Sequence, residues 1–226
     1  MIKAAERFGR TTERRLRELI KRFEDEAGGL GDPLSFSMDW LERSHEPAYS
    51  RWLAWVLQQL DEPAAICRVL GLKDMSPSGK VQTKAEVRLS SGDRLDVVIY
   101  CGGVETVVVE TKLGRHREAE LSDQLSRYGK QLCAWHAKGV LVLVGADDEK
   151  YAGFQVRRWA DFCIALRREL PYLVKRNPRV VCAMMLGFVG AVEQNLLGFP
   201  SLESGDSPQL YPRCVRHLKA CFEGGM

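Results

Sequence analysis

Three residues of this 226-residue chain have the types and spacing for chemistry on a charged substrate: Asp96, Glu110 and Lys112. The last two close the stretch Val-Glu-Thr-Val-Val-Val-Glu-Thr-Lys at 104–112, whose β-branched run Val107, Val108 and Val109 predicts a strand buried on both faces. Burial accounts for the valines but not for the charges that follow them. Successive side chains alternate along a strand, so Glu110 and Lys112 share one face about 7 Å apart while Thr111 points the other way. A Glu-x-Lys pair alone is common, and its neighbours make this one informative. Arg94-Leu95-Asp96-Val97-Val98-Ile99-Tyr100 reads as a second strand, with Gly102-Gly103 as the hairpin turn between the two. Antiparallel pairing brings Asp96 near Glu110 and Lys112. Two carboxylates at one end of a buried sheet repel each other unless a cation sits between them, and oxygen donors suit a hard ion such as Mg2+ or Mn2+.

The surrounding pattern supplies the elements that must hold these residues. Residues 80–89 alternate as a first strand, turned by Ser91-Gly92-Asp93 into the Asp96 strand. After Lys112, residues 119–137 carry Leu121, Leu125, Tyr128, Leu132 and Trp135 at helical spacing, with Gln124 beside that stripe toward the sheet. A helical crossover makes the next apolar run, residues 139–144, a strand parallel to the Lys112 strand. Residues 154–156 read as an edge strand. Helices follow over 159–170 and 180–197, separated by Pro171 and Pro178, then a loop over 199–212 and a terminal helix over 215–222. Upstream, a short helix over 39–44 and a longer one running from Pro47 through Leu60, with a core stripe of Trp52, Leu53, Val56, Leu57 and Leu60, precede a helix over 62–70. Glu46 stands at the entrance of the longer helix, as a helix-start acid or as a contact to a metal or its water. Ser50 reads as a buried hydrogen-bonding residue, since no Gly-x-Ser-x-Gly elbow surrounds it, and His45 has no partner at ligand spacing. The fold class expected is α/β, a mixed central β-sheet flanked by helices on both faces.

Asp96 followed by Glu110-Thr111-Lys112 resembles the signature of the PD-(D/E)XK phosphodiesterase superfamily, the fold of many restriction and repair nucleases. Gln124-Leu125-Ser126-Arg127-Tyr128 is similar to the Gln-Leu-x-x-Tyr of the helix after that strand in many members. The segment Glu46-Pro47-Ala48-Tyr49-Ser50-Arg51-Trp52-Leu53-Ala54-Trp55-Val56-Leu57 resembles the Glu-x-x-x-Ser-x-Phe-Leu-Ala-Trp-Leu-Leu first motif of one bacterial branch. Arg-Leu-Asp stands where Pro-Asp is common, and Pro47 directly follows the first-motif glutamate. The resemblance implies a restriction-endonuclease-like αβββαβ core, an order that the pattern over residues 80–144 reaches independently. The reaction expected is metal-dependent hydrolysis of nucleic acid, as a DNA endonuclease or exonuclease of restriction, phage defence or repair type. Asp96, Glu110 and the Thr111 carbonyl are then the ligands for Mg2+ or Mn2+. For Lys112 the resemblance implies orienting the attacking water or stabilising developing charge, with Glu46 and Gln124 as outer contacts. Two other classes compete. A nucleic-acid-binding or assembly protein keeps the fold without turnover, though it has little reason to hold two carboxylates together. A structural protein with Glu110 and Lys112 as a strand-end ion pair explains neither Asp96 nor the helix motif.

Length allows one large core, so a single domain over 1–226 is expected: a basic helical arm at 1–29, a catalytic core at 46–144 and a helical part at 154–226. Net charge is only +3, so any nucleic-acid surface must come from local clustering. One cluster is Arg115, His116 and Arg117 after Gly114, nitrogen-rich side chains suited to positioning phosphates beside the paired carboxylates. Another is the arm, where Arg10, Arg14, Arg15, Arg17, Lys21 and Arg22 fill the faces beside an apolar stripe, more as a solvated face than as a nucleic-acid arm. Asp147-Asp148-Glu149 reads as a solvating loop tip. Seven scattered cysteines with no Cys-x-x-Cys pair point to free core thiols and away from structural zinc. Apolar runs are too short to span a bilayer and no leader pattern opens the chain, so the location expected is cytoplasmic, with no membrane partner. The partner expected is nucleic acid, DNA ahead of RNA, with a second copy of the chain as a further candidate.

Overall fold

A computed structural model describes Arg14, Glu18, Lys21, Leu41 and Tyr151 together with residues 46–114, 118–145, 153–199 and 211–223. Arg14, Glu18 and Lys21 are helical; the rest of the basic arm, the acidic turn at 147–149 and residues 115–117 lie outside the described residues, as does the short helix expected over 39–44 except for Leu41, which lies in a bend. The chain divides into two compact units, one formed by Leu41–Phe162 and the other by Met1–Trp40 with Cys163–Met226.

In the first unit the element order is α1 (Glu46–Leu60), α2 (Pro63–Leu70), β1 (Val81–Arg88), β2 (Arg94–Cys101), β3 (Val104–Thr111), α3 (Glu118–Trp135), β4 (Lys138–Leu143) and β5 (Phe154–Arg158). The strands form one mixed sheet in the order β1-β2-β3-β4-β5. The first three are an antiparallel meander, while β4 runs parallel to β3 and β5 parallel to β4. This is the α/β architecture expected, with helices flanking a mixed sheet. Val98 and Val108 pair on one face and share a core with Leu121, Leu125 and Leu132 of α3. Alternation turns Val97, Ile99, Val107 and Val109 to the other face, all of them buried. α1 packs against β1 and β2. Gln58 fastens it to the edge strand, donating to the Val81 carbonyl at 3.1 Å and accepting from the Thr83 amide at 2.8 Å.

The β2–β3 register decides where the charges meet. Gly102 and Gly103 occupy a two-residue turn with φ of +63° and +89°, values that suit the tight hairpin turn and that only glycine adopts freely. A bulge follows: Tyr100 pairs with Glu105 but Ile99 pairs with Val107, so Thr106 is the extra residue. Its hydroxyl accepts from the Cys101 amide at 3.2 Å, which helps to anchor the bulge. Beyond it Val98 faces Val108 and Val97 faces Val109, and the next step of the same register sets Asp96 against Glu110. Without the extra residue Asp96 would face Val109 and Glu110 would turn to the opposite face.

Gly139 in β4 shows how tightly β5 and α3 close on this sheet. A Cβ there would lie 2.7 Å from the Gly153 carbonyl oxygen, 2.7 Å from Phe154 Cδ1 and 2.8 Å from Leu132 Cδ1. A backbone oxygen yields less cheaply than the end of a flexible side chain, so Gly139→Ala is expected to lower the unfolding free energy by about 1–3 kcal/mol. Urea denaturation of the two proteins measures it.

α4 (Trp159–Leu173) leads into the second unit, whose described part holds α5 (Arg179–Ala191), a π-helical turn (Val192–Leu196) and α6 (Tyr211–Glu223). Several boundaries differ from those read in the sequence: the strand read over 154–156 runs to Arg158, and the helix read over 180–197 gives way to the π-helical turn after Ala191. Pro171 sits inside α4, in its last turn, where it forfeits a single backbone bond instead of ending the helix. The terminal helix begins at Tyr211, within residues read as loop. Arg167 grips Glu193 through Nε at 2.9 Å and through a second guanidinium nitrogen, and His217 Nε2 faces Glu193 Oε1 at 2.7 Å. All three side chains are buried. Burial pushes the Glu193 carboxyl up, but Arg167 and then His217 outweigh it and hold the group down at about 2. The seven cysteines are free thiols, six of them buried and Cys133 exposed. No helix among the described residues is long and apolar enough to cross a membrane.

Candidate active-site cleft

The cleft lies where β2 begins and β3 ends, between the entrance of α1 and the face of α3, and encloses about 460 Å³. Its floor holds Asp96, Glu110 and Lys112, with Glu46, Gln124 and Tyr128 around them.

Asp96 is buried, and its Oδ2 accepts from both the Thr111 amide at 2.8 Å and the Thr111 hydroxyl at 2.7 Å. Those bonds orient the carboxylate, and Oδ1 has no hydrogen-bond partner among the described residues. Thr111 is itself fully buried, its hydroxyl 3.2 Å from that of Ser50, which also bonds to the Glu46 carbonyl of α1. Ser50 is thus the hydrogen-bonding residue its surroundings predicted.

Glu110 is 1% exposed. Its Oε1 accepts from Lys112 Nζ at 2.6 Å and from Gln124 Nε2 at 3.0 Å, whereas Oε2 is buried with no hydrogen-bond partner among the described residues. A buried acceptor left unmade costs about 1–3 kcal/mol, more when charged. Burial and the neighbouring Asp96 push the Glu110 carboxyl up to about 8 against the pull of Lys112. Burial alone would lower the Lys112 ammonium, but Glu110, Glu46 and Asp96 together raise it, so the lysine remains the cation of the pair.

Glu46 opens α1 despite Pro47, which suits a first turn. Its Oε1 accepts from the Leu113 amide at 3.3 Å and its Oε2 lies 3.8 Å from Lys112 Nζ. One ammonium therefore stands between the carboxylates of Glu46 and Glu110. Burial is the main influence raising the Glu46 carboxyl, with Lys112 opposing it. Gln124 gives its second N–H to Tyr128 Oη at 2.8 Å, and Tyr128 donates in turn to the Arg94 carbonyl at 2.7 Å. This chain runs unbroken from Glu110 to the backbone of β2.

Of the site residues read from the sequence, Asp96, Glu110, Thr111, Lys112, Glu46 and Gln124 come together. Arg115, His116 and Arg117 lie outside the described residues. Sequence reading missed the other wall of the cleft, formed by Arg88, Gly92 and Arg94. Arg88 pairs with Arg94 across the turn between β1 and β2, so two basic residues flanking the predicted turn were the signal. It also missed Glu86, whose Oε2 binds Arg94 at 2.9 Å.

A hard cation is commonly held by one or two carboxylates with water and substrate oxygens completing its shell. Asp96 Oδ1 and Glu110 Oε2 offer such a pair. Among the described residues no group of three or more His, Cys, Asp or Glu side chains converges as a metal site. Comparison with protein-family models, with curated proteins and with solved structures yields no match.

Proposed function

We propose that the cleft hydrolyses phosphodiester bonds of nucleic acid, with a divalent cation held by Asp96 and Glu110 and the carbonyl of Thr111. The observation that carries this reading is Glu110: a buried carboxylate across the sheet from Asp96, with one oxygen gripped by Lys112 and Gln124 and the other left without a partner. A strand-end ion pair explains the first oxygen but gives no reason to bury the second beside another carboxylate. A cation bound there supplies polarisation of the phosphoryl oxygen and a more acidic water. Thr111 orients Asp96 through two hydrogen bonds, and Gln124 aims Glu110. Lys112, charged and confined between Glu110 and Glu46, offers its ammonium to the negative charge that builds on the phosphoryl group. Glu46 holds Lys112 from the far side and accepts a hydrogen bond from the chain just beyond it, a positioning role.

The test is to incubate the protein with supercoiled plasmid, linear duplex, single-stranded DNA and RNA, each with Mg2+, Mn2+ or chelator. Chelator-sensitive cleavage of at least one substrate is the expected result; retention of nucleic acid with no cleavage under any metal would replace an enzyme by a binding protein.

The metal site has its own measurement. Asp96→Asn keeps an oxygen to accept from Thr111 but loses the charge, so Mn2+ affinity is expected to fall by more than the about 10- to 100-fold typical of losing an outer partner. Calorimetric titration of Mn2+ into both proteins decides it, and equal affinities would remove Asp96 from the metal site.

A further inference from the structure

Directly opposed like charges destabilise a strand pair, yet β1 and β2 set Arg88 against Arg94 at the cleft. The two differ in how they are held. Arg94 is fixed twice: its guanidinium is bound by Glu86 Oε2 at 2.9 Å, and its carbonyl accepts from Tyr128 at the end of the chain that begins at Glu110. Arg88 forms no ion pair with any described residue, although it is exposed on the wall facing the two carboxylates and Lys112. Glu86 itself has φ of +57°, a left-handed conformation that a glutamate adopts at a cost, and its other oxygen is buried without a partner. Asp93 in the intervening turn is tied to Arg127 of α3 at 3.3 Å, so the turn is anchored from outside the cleft and leaves Arg88 uncompensated. Between the two arginines Gly92 presents bare backbone, with nothing within 4 Å of where a Cβ would stand.

We propose that Arg88 and Arg94 form a subsite for a phosphate flanking the scissile one, with Glu86 as the residue that positions Arg94. This rests on the phosphodiester-hydrolysis reading and narrows its substrate class to a polynucleotide strand, excluding isolated small diesters. The planar fork of N–H donors on each guanidinium suits two oxygens of a tetrahedral phosphate, and a wall without side chains at Gly92 lets a sugar-phosphate backbone approach. Arg88, which has no counter-ion among the described residues, gains one in a bound phosphate.

The experiment measures binding and turnover separately. Binding of fluorescent single-stranded and duplex DNA and RNA oligonucleotides to Lys112→Ala is followed from low to moderate salt, with and without Arg88→Ala. Loss of one phosphate contact is expected to reduce the slope of log affinity against log salt by about one, for every strand that binds. In the otherwise unaltered protein, Arg88→Ala is expected to raise KM for a cleaved oligonucleotide about 10- to 100-fold, with a much smaller change in kcat. Glu86→Gln, which loosens Arg94 without removing it, is expected to shift KM in the same direction by less. An unchanged salt slope, or a fall in kcat with KM unchanged, would overturn the subsite. If no substrate is cleaved but binding persists and its salt slope falls with Arg88→Ala, the hydrolytic reading fails and the phosphate subsite stands. With neither cleavage nor binding, both fail.

Discussion

Lys112→Ala is expected to lower the rate of nucleic-acid cleavage about 100- to 1,000-fold, the range for removing one electrostatic contact made in the transition state. The structure gives a reason why the protein should survive the change. Glu110 loses the ammonium at 2.6 Å but keeps the Gln124 amide, and a buried carboxyl already raised to about 8 takes up a proton instead of remaining as an unpaired charge. Glu46 keeps its bond from the Leu113 amide. The readout is single-turnover cleavage beside thermal unfolding and oligonucleotide binding. Near-complete loss of cleavage with folding and binding retained is the expected result. Cleavage that persists in Lys112→Ala and in chelator would point to a contaminating nuclease and leave the proposed site without support.

The largest stability effect is expected in the second unit. Glu193→Gln leaves the buried Arg167 guanidinium without its bidentate carboxylate, and breaking one partner out of a buried pair costs about 3–5 kcal/mol. The same group sets a pH window. Its folded-state value of about 2 lies below the ordinary 4.5, so the unfolded chain binds the extra proton between those limits. Its contribution is therefore fully present above about pH 4.5 and is lost as pH falls toward 2. Urea unfolding at a series of pH values should show the gap between wild type and Glu193→Gln constant near neutrality and narrowing below pH 4.5. A gap independent of pH down to 3 would mean that the ion pair is not what the substitution removed.

How far these expectations were legible depends on whether the signal is local. Alternation and β-branching in residues 104–112, the Gly-Gly turn and the helical stripe from Leu121 to Trp135 are local patterns, and strands, turn and crossover helix stand where they predict. The same patterns require β4 to run parallel to β3, since a helix returns the chain to its starting end. They also bring Asp96 to the end of the sheet where Glu110 and Lys112 lie. Residue types told the rest: two carboxylates and a lysine at strand ends serve poorly as core, whatever the fold.

What the sequence left open was decided by contacts between residues far apart in the chain. The extra residue at Thr106 sets Asp96 against Glu110, and a bulge depends on how strands settle on both helical layers, which no local propensity encodes. Glu46 could have been only a helix-start acid. It joins the cleft because Ser50 and Gln58 dock α1 on the sheet, with the entrance of the helix over Lys112 and Leu113. Arg88 and Arg94 are ordinary exposed arginines until the hairpin pairs them. Glu193, Arg167 and His217 come from three separate helices, and burial of a charge becomes visible only when the helices have packed around it.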